Sequence, residues 1–257
     1  MKKISVITIN FNNGNELMET IASVAAQNLE YIEYIVIDGG STDSSVDIIN
    51  RYSQKIDYWV SEKDRGIYHA MNKGIEKSSG EYLIFLNSGD IFLSPNSLKD
   101  LTTPFPEKDL VYGDLLIEND ASSKKKSYPD TLQLSDFYVN SLPHPATLIK
   151  KSLFDKIGPY DENLKIAADW KFFLISIFKE NASYEHREVL VTKFNLKGIS
   201  SKPSNQSIAK MEKEQTLNGA FPRLAKDIIE LQRLRRLERK AKKNLISRIL
   251  LKKYLKI

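Results

Sequence analysis

Through the first 90 residues, short apolar runs alternate with segments of helical spacing, and this alternation restricts the fold more than any other feature of the chain. Ile4 to Ile9 is β-branched and apolar and reads as a buried strand. A polar loop, Asn10 to Asn15, precedes Glu16 to Gln27, where Leu17, Ile21, Val24 and Ala25 share one helical face. Tyr34 to Ile37 is a second strand that ends at Asp38-Gly39-Gly40. Ser41-Thr42-Asp43 reads as a helix N-cap, with Val46, Ile49 and Tyr52 as the apolar stripe behind it. Asp57 to Val60 predicts a third strand and Gly66 to Lys77 a helix; Tyr82 to Leu86 predicts a fourth strand that runs into Asn87-Ser88-Gly89-Asp90. Strands separated by crossover helices pair in parallel, so the class is α/β, a Rossmann-like and mostly parallel sheet flanked by helices. Such sheets bind ligands outside the carboxyl ends of their strands. Asp38 and Asp90 both stand at such ends, and their side chains are expected to meet in one crevice.

After Pro95 the pattern changes. Leu110 to Asp114 predicts a strand that Leu115 to Glu118 extends, and Ala121 to Ser127 reads as a lysine-rich loop. His144-Pro145-Ala146-Thr147 leads into a strand at Leu148-Ile149; a short helix over Ser152 to Ile157 is closed by Gly158-Pro159. Asp169 to Lys179 predicts a helix, Val189 to Phe194 a late strand, Ser200 to Ser207 a polar linker, and Ile208 onward a helix to the end. The chain is thus divided into a body over residues 1–205, with halves meeting near residue 95, and a helical tail over 206–257. There is no cysteine, which excludes disulfides and thiolate metal sites. Nowhere are there 18 consecutive apolar residues, so no membrane-spanning helix is expected. The short apolar run at the N-terminus reads as a first strand and not as a secretory signal.

The turn Phe85-Leu86-Asn87-Ser88-Gly89-Asp90 carries the chemistry that matters most. A carboxylate at the open end of an apolar strand can face a diphosphate through a hard divalent cation. Taken alone, Asn-Ser-Gly-Asp is also ordinary turn chemistry. Other segments accompany it in a fixed order: Ile4 to Thr8, Tyr34 to Asp43, Ser61-Glu62-Lys63-Asp64-Arg65-Gly66-Ile67-Tyr68, Ala70 to Gly74, His144 to Thr147, and Ile166-Ala167-Ala168-Asp169-Trp170.

Across roughly residues 4 to 200 these segments resemble the inverting glycosyltransferases of family 2, which have the GT-A fold. The likeness is strongest to members that build bacterial O-antigens, capsules and exopolysaccharides. The resemblance implies a donor-binding set of Thr8, Asn10, Asp38, Asp64, Arg65, Asn87 and Ser88, in which Asp38 would hydrogen-bond the donor base, typically uracil. It makes Asp90 the metal ligand, with Mn²⁺ or Mg²⁺ as cofactor. Asn87 and Gly89 stand where the fuller motif has carboxylates, so cation affinity without nucleotide should be low. Asp169 matches the general base that takes the proton of the acceptor hydroxyl, with Ala168 replacing a neighbouring glutamate. Its other reading is a first-turn acid favoured by the helix dipole. His144, Trp170 and Asp114 are candidates for diphosphate or acceptor contact, while Asn72 and Lys73 read as structural.

The activity implied is transfer of a hexose or N-acetylhexosamine from a nucleotide-sugar, UDP first among them, to a glycan acceptor such as a polyprenyl-diphosphate-linked saccharide. A nucleotidyltransferase and a non-catalytic sugar-binding protein are the alternatives. The first usually opens with a basic, Gly-rich phosphate loop, which Asn10 to Gly14 lacks; the second would not need both Asp90 and Asp169.

Residues 223–257 carry 13 Lys/Arg against 3 Asp/Glu, and the rest of the chain 25 against 30. The overall charge of +5 therefore hides an acidic body and a basic tail. Leu224, Ile228, Leu231, Leu234, Leu237, Ala241, Leu245 and Ile249 form an apolar stripe beside clustered Lys and Arg. Such a helix can lie on an anionic membrane surface, which would make the protein cytoplasmic and peripheral. Packing on the body and pairing in a homo-oligomer are its other uses. No nucleic-acid partner is expected, because the tail's only aromatic is Tyr254.

Overall fold

The computed structural model describes residues 4–119, 122–196 and 198–243. In chain order they form β1 (Ile4–Asn10), α1 (Gly14–Ala25), β2 (Ile32–Asp38), α2 (Ser45–Arg51), β3 (Tyr58–Ser61), α3 (Ile67–Lys77), β4 (Tyr82–Phe85) and β5 (Ile91–Phe92). There follow α4 (Ser97–Leu101), β6 (Leu110–Asn119), β7 (Ser122–Lys126), α5 (Leu134–Phe137), β8 (Thr147–Lys150), α6 (Ser152–Ile157) and α7 (Ala168–Phe178). The last elements are β9 (Tyr184–Asn195), α8 (Gln206–Ala220) and α9 (Ala225–Lys243).

The described strands make one sheet in the order β3-β2-β1-β4-β8-β6-β9-β5, with β7 hairpinned onto β6. The first four are parallel, as the alternating pattern predicts. The apolar runs of β1 and β4 are buried on both faces because helices cover both, while the edge strand β3 is half-buried. Helix α3 approaches β1 closely at Gly74, where a Cβ would lie 2.5 Å from Ile7 Cγ2. From β4 onward the sheet is mixed: β8 runs antiparallel to β4 and β6, and β9 parallel to β6.

Three expectations change. Residues 122–126 of the lysine-rich segment are a strand, since Leu115 to Asn119 of β6 supply an open edge for Ser122 to Lys126 to pair with. The polar linker contains two 3₁₀ turns, Ile199–Ser201 and Pro203–Asn205. The terminal helix is two helices, because Phe221 precedes Pro222, which lacks an N–H and disfavours helical geometry in the residue before it.

The first of these helices is seated on the body, with Glu212, Thr216 and Leu217 buried. The boundary drawn at 205/206 therefore marks a change of sequence pattern and not a gap in packing. Helix α9 buries Ala225, Ile228 and Gln232, with Gln232 donating to the Ser135 carbonyl and Arg235 to Asp136 beside α5. This divides the predicted apolar stripe: Ile228 faces the protein, while Leu224, Leu231, Leu234 and Leu237 face outward. Leu245, Ile249 and Tyr254, and the side chain of Ala241, lie outside what is described.

Candidate active site

Because β1, β2 and β3 pair in register, their last residues stand side by side: Asn10 is opposite Asp38, and Asp38 opposite Ser61. Asp38 is fully buried, and both its oxygens are used. Asn10 Nδ2 donates to it at 2.7 Å, Ser41 Oγ at 2.6 Å, Ser61 Oγ at 2.6 Å and the Ser41 amide at 2.9 Å. Burial alone would raise its pKa, but these donors outweigh it and hold the carboxyl below the usual range. Asp38 thus stays charged and fixes the turn that follows β2.

The loop after β3 brings Asp64 to the same edge. Its Oδ1 pairs with Lys73 Nζ at 2.6 Å and His69 Nδ1 at 2.9 Å, so Lys73 is structural as expected. Asp64 Oδ2 is buried with no partner, and a Cβ at Gly39 would sit 3.3 Å from it. Asn10 Oδ1 and Asn87 Oδ1 are also buried without partners. Buried acceptors left unsatisfied are costly, and three along one row of strand ends mark a place built for a ligand's donors or a cation. Arg65 is exposed and pairs with Glu162 at 2.7 Å. Asn72 joins the same contact, donating to Glu162 Oε1 at 3.1 Å and exchanging two bonds with the Tyr160 backbone.

The turn after β4 is pinned from three sides. The Ser88 amide donates to the Ile9 carbonyl at 3.1 Å, and Asn13 Nδ2 donates to Ser88 Oγ at 3.0 Å. Thr20 of α1 accepts from the Gly89 amide at 3.0 Å and donates to the Asp90 carbonyl at 2.9 Å. The Asn195 amide, at the end of β9, donates to Asp90 Oδ1 at 2.8 Å. Burial pushes the Asp90 carboxyl up to about 7 despite that bond.

Gly89 has φ +101°, and a Cβ there would lie 2.4 Å from Asn195 Nδ2. The missing carboxylate at this position is therefore a consequence of backbone geometry and of the β9 end packing over it. Among the described residues no three His, Cys, Asp or Glu side chains gather to hold a metal. The oxygen donors that fit one are the Asp90 carboxylate and the unpartnered Asn87 Oδ1, both hard ligands that would leave most positions to phosphate and water.

Asp169 sits half-buried in the first turn of α7. The Tyr68 hydroxyl donates to its Oδ1 at 3.1 Å. Burial and then the charge of Asp169 raise the Tyr68 pKa well above its ordinary value, so the phenol stays a donor. Behind this pair lies an aromatic block: Phe85 stacks on His144 at 4.8 Å, and His144 Nε2 meets Tyr160 Oη at 2.9 Å.

Four further predicted residues are buried and bonded within the protein. His144 is 8% exposed and committed to Phe85 and Tyr160. Trp170 is core, its indole donating to the Phe137 carbonyl at 2.8 Å. Asp114 is fully buried between Lys125, His186 and the Tyr128 amide. Thr8 is fully buried and donates to the Leu86 carbonyl at 2.7 Å, which joins β1 to the end of β4. In each case the polar group is bonded to a neighbouring element of the protein. Sequence reasoning missed Thr20 and Asn195 as supports of the row, and quoted Ser61 only as the first residue of a motif. It quoted Tyr68 only as part of a motif.

The family model for Glycosyl transferase family 2 matches residues 5–158, which include the ends of β1, β2, β3 and β4. The chain belongs to glycosyl transferase family 2. It is 39% identical over 180 residues to an uncharacterized glycosyltransferase of Mycobacterium tuberculosis, covering 66% of this chain and 67% of that one. It is 27% identical over 198 residues to a PGL/p-HBAD biosynthesis glycosyltransferase of Mycobacterium bovis, covering 74% and 76%. Its fold matches Staphylococcus aureus TarS 1-349 with a TM-score of 0.65 at 20% identity, covering 85% of this chain and 66% of that structure, just under two thirds of its length.

The same TarS fragment is known in complex with UDP-GlcNAc, matching with a TM-score of 0.64 at 20% identity over 86% of this chain and 72% of that one. A Pyrobaculum calidifontis mannosyltransferase in complex with GDP-Man and Mn²⁺ matches with a TM-score of 0.58 at 14% identity over 96% and 82%. The fold of this family 2 glycosyltransferase is GT-A, as the sequence resemblance implied.

Proposed function

We propose that the protein is an inverting glycosyltransferase that moves a sugar from a UDP-sugar to a hydroxyl of a lipid-linked saccharide, with Asp169 as general base. One observation carries this reading: Tyr68 on α3 hydrogen-bonds Asp169 on α7, while the loop that opens α3 holds Asp64. A single helix thus links the row of donor-facing strand ends to a carboxylate 101 residues further along the chain.

In this reading the unpartnered oxygens of Asn10 and Asp64 accept from the base and ribose of the nucleotide, and Asp38 keeps the turn beside them in shape. Arg65, close to the same edge, offers a cation to the diphosphate. Asn87 and Asp90 would hold a divalent ion, which supplies charge neutralisation for the departing diphosphate. Asp169 takes the acceptor proton as its oxygen attacks the anomeric carbon. A single displacement of this kind inverts an α-linked donor to a β-linkage. The TarS complexes with UDP-GlcNAc and UDP support the choice of base, and the complex of the mannosyltransferase with Mn²⁺ supports the choice of ion.

The outward leucines of α9, set among basic residues, support a peripheral attachment to an anionic membrane, where a lipid-linked acceptor would present its sugar. No helix among the described residues is long and apolar enough to cross a membrane.

The test is incubation with a panel of nucleotide-sugars and Mn²⁺, scored by release of the nucleotide. Asp169→Asn should lose transfer while calorimetry still detects UDP binding. Near-normal turnover of that variant would remove Asp169 from the mechanism.

A further inference from the structure

Three successive backbone amides in front of α7 point at one carboxylate. Glu212 Oε1 accepts from the Lys165 amide at 2.7 Å; its Oε2 accepts from Ile166 at 3.0 Å and Ala167 at 2.9 Å. Glu212 belongs to α8, more than forty residues further along the chain, and is 4% exposed. Burying a carboxylate costs several kcal/mol unless charge-assisted bonds offset it. Here the offset comes wholly from the turn that delivers Asp169.

The side chains at the start of α7 do little to hold that turn. Ala167 occupies the N-cap position of α7 and has no side chain that could cap the helix. Ala168 is equally inert. Helix α8 is itself held firmly in place. Thr216 and Leu217 are buried, and Lys213 Nζ lies 5.0 Å over the Trp170 ring, next to Asp169 in sequence. Tyr68 fixes the Asp169 carboxylate from the α3 side, and Glu212 fixes the backbone two residues ahead of it from the α8 side.

We propose that Glu212 is a positioning residue for the base: from α8 it fixes the turn that enters α7, up to the amide of the N-cap residue Ala167, and so sets the direction in which Asp169 meets the acceptor hydroxyl. The proposal rests on the assignment of Asp169 above. It also makes α8 a part of the catalytic machinery and not an appendage to it.

The full chain carrying Glu212→Ala or Glu212→Gln tests this. The readouts are kcat, donor KM, the Kd for UDP with Mn²⁺ by calorimetry, and the thermal midpoint. The alanine variant should lower kcat by about tenfold to a hundredfold, the usual cost of displacing a catalytic group by about 1 Å. UDP affinity should stay within twofold. Glutamine keeps the shape and one acceptor oxygen, and should recover part of the loss.

An alanine variant that is folded and turns over within twofold of wild type overturns the proposal. So does one that loses UDP affinity in the same proportion as kcat. Should the alanine variant not fold, glutamine decides. A kcat lowered more than twofold at unchanged UDP affinity supports the role, and a kcat within twofold overturns it. Asp169→Asn assayed alongside separates the two readings. If it retains turnover, the base assignment fails; if it is inactive while both Glu212 variants match wild type, only the positioning role fails.

Discussion

A side chain at Gly89 would enter the space that the Asn195 side chain occupies. Gly89→Ala combines a left-handed backbone with a contact at 2.4 Å. It should cost about 1–3 kcal/mol of stability by urea unfolding. Adding Asn195→Ala should recover the steric part and leave the backbone part; full recovery would mean that φ contributes nothing. At Asp169 the test is finer. Tyr68→Phe removes one hydrogen bond to a charged acceptor, worth about 1.5–3 kcal/mol where it persists into the transition state. The expected result is a fall in kcat of about tenfold or more with UDP affinity unchanged. Unchanged kcat would mean that Tyr68 only packs.

At the scale of elements, α3 joins the two halves of the site. Tyr68 reaches Asp169; His69 and Lys73 hold Asp64; Asn72 clasps the backbone of Tyr160. All four depend on how closely the helix lies on β1. An alanine at position 74 would gain about 1 kcal/mol of helix propensity in isolation. Here its Cβ would meet Ile7 Cγ2 at 2.5 Å, so the helix or the strand must shift. Gly74→Ala should therefore destabilise the protein by about 1–3 kcal/mol and lower both kcat and donor affinity. A stabilised variant with normal kinetics would contradict the close seating of α3.

For the molecule as a whole, the aromatic block behind Asp169 sets a pH dependence. Burial lowers the His144 pKa below its usual 6.5, and the charge of Asp169 only partly opposes this. The unfolded chain therefore takes up a proton below about pH 6.5 that the folded protein refuses. The contribution of His144 is constant above that pH and falls as pH drops through the window beneath it; Asp90, whose carboxyl burial raises to about 7, contributes an opposite slope there. The slope from His144 alone is at most about 1.4 kcal/mol per pH unit. His144→Phe should shift the slope of thermal midpoint against pH between about pH 6.5 and 5.5 toward greater stability at the acid end; an unchanged slope would assign the effect elsewhere.

The outward face of α9 is tested with the full chain. Leu231→Glu with Leu234→Glu should abolish flotation with anionic vesicles and leave UDP binding intact. Equal flotation of variant and wild type would count against the membrane reading. Loss of a dimer by light scattering would favour pairing between copies.

Local pattern in the sequence determined the parallel half of the sheet, the helices between its strands, and the strand tips on which Asp38 and Asp90 stand. These features follow from side chains a few residues apart and from the rule that parallel strands end together. The family motifs also put forward Asp64, Arg65 and Asp169 as candidates, whose roles remain proposals. Only the tertiary structure decided the order β8-β6-β9-β5, the division of the tail, and which polar groups remain available. Thr8, Asp114 and Trp170 look the same in sequence as residues that face a ligand; they differ because another element covers them. Asn195 reaches Asp90 across 105 residues, and Glu212 reaches Ile166 across 46. Periodicity tells which face of an element is apolar, but it carries no information about which distant backbone amide a carboxylate will meet. For that reason Gly89 reads in the sequence as a weakened motif, and in the fold as the opening that lets the end of β9 complete the site.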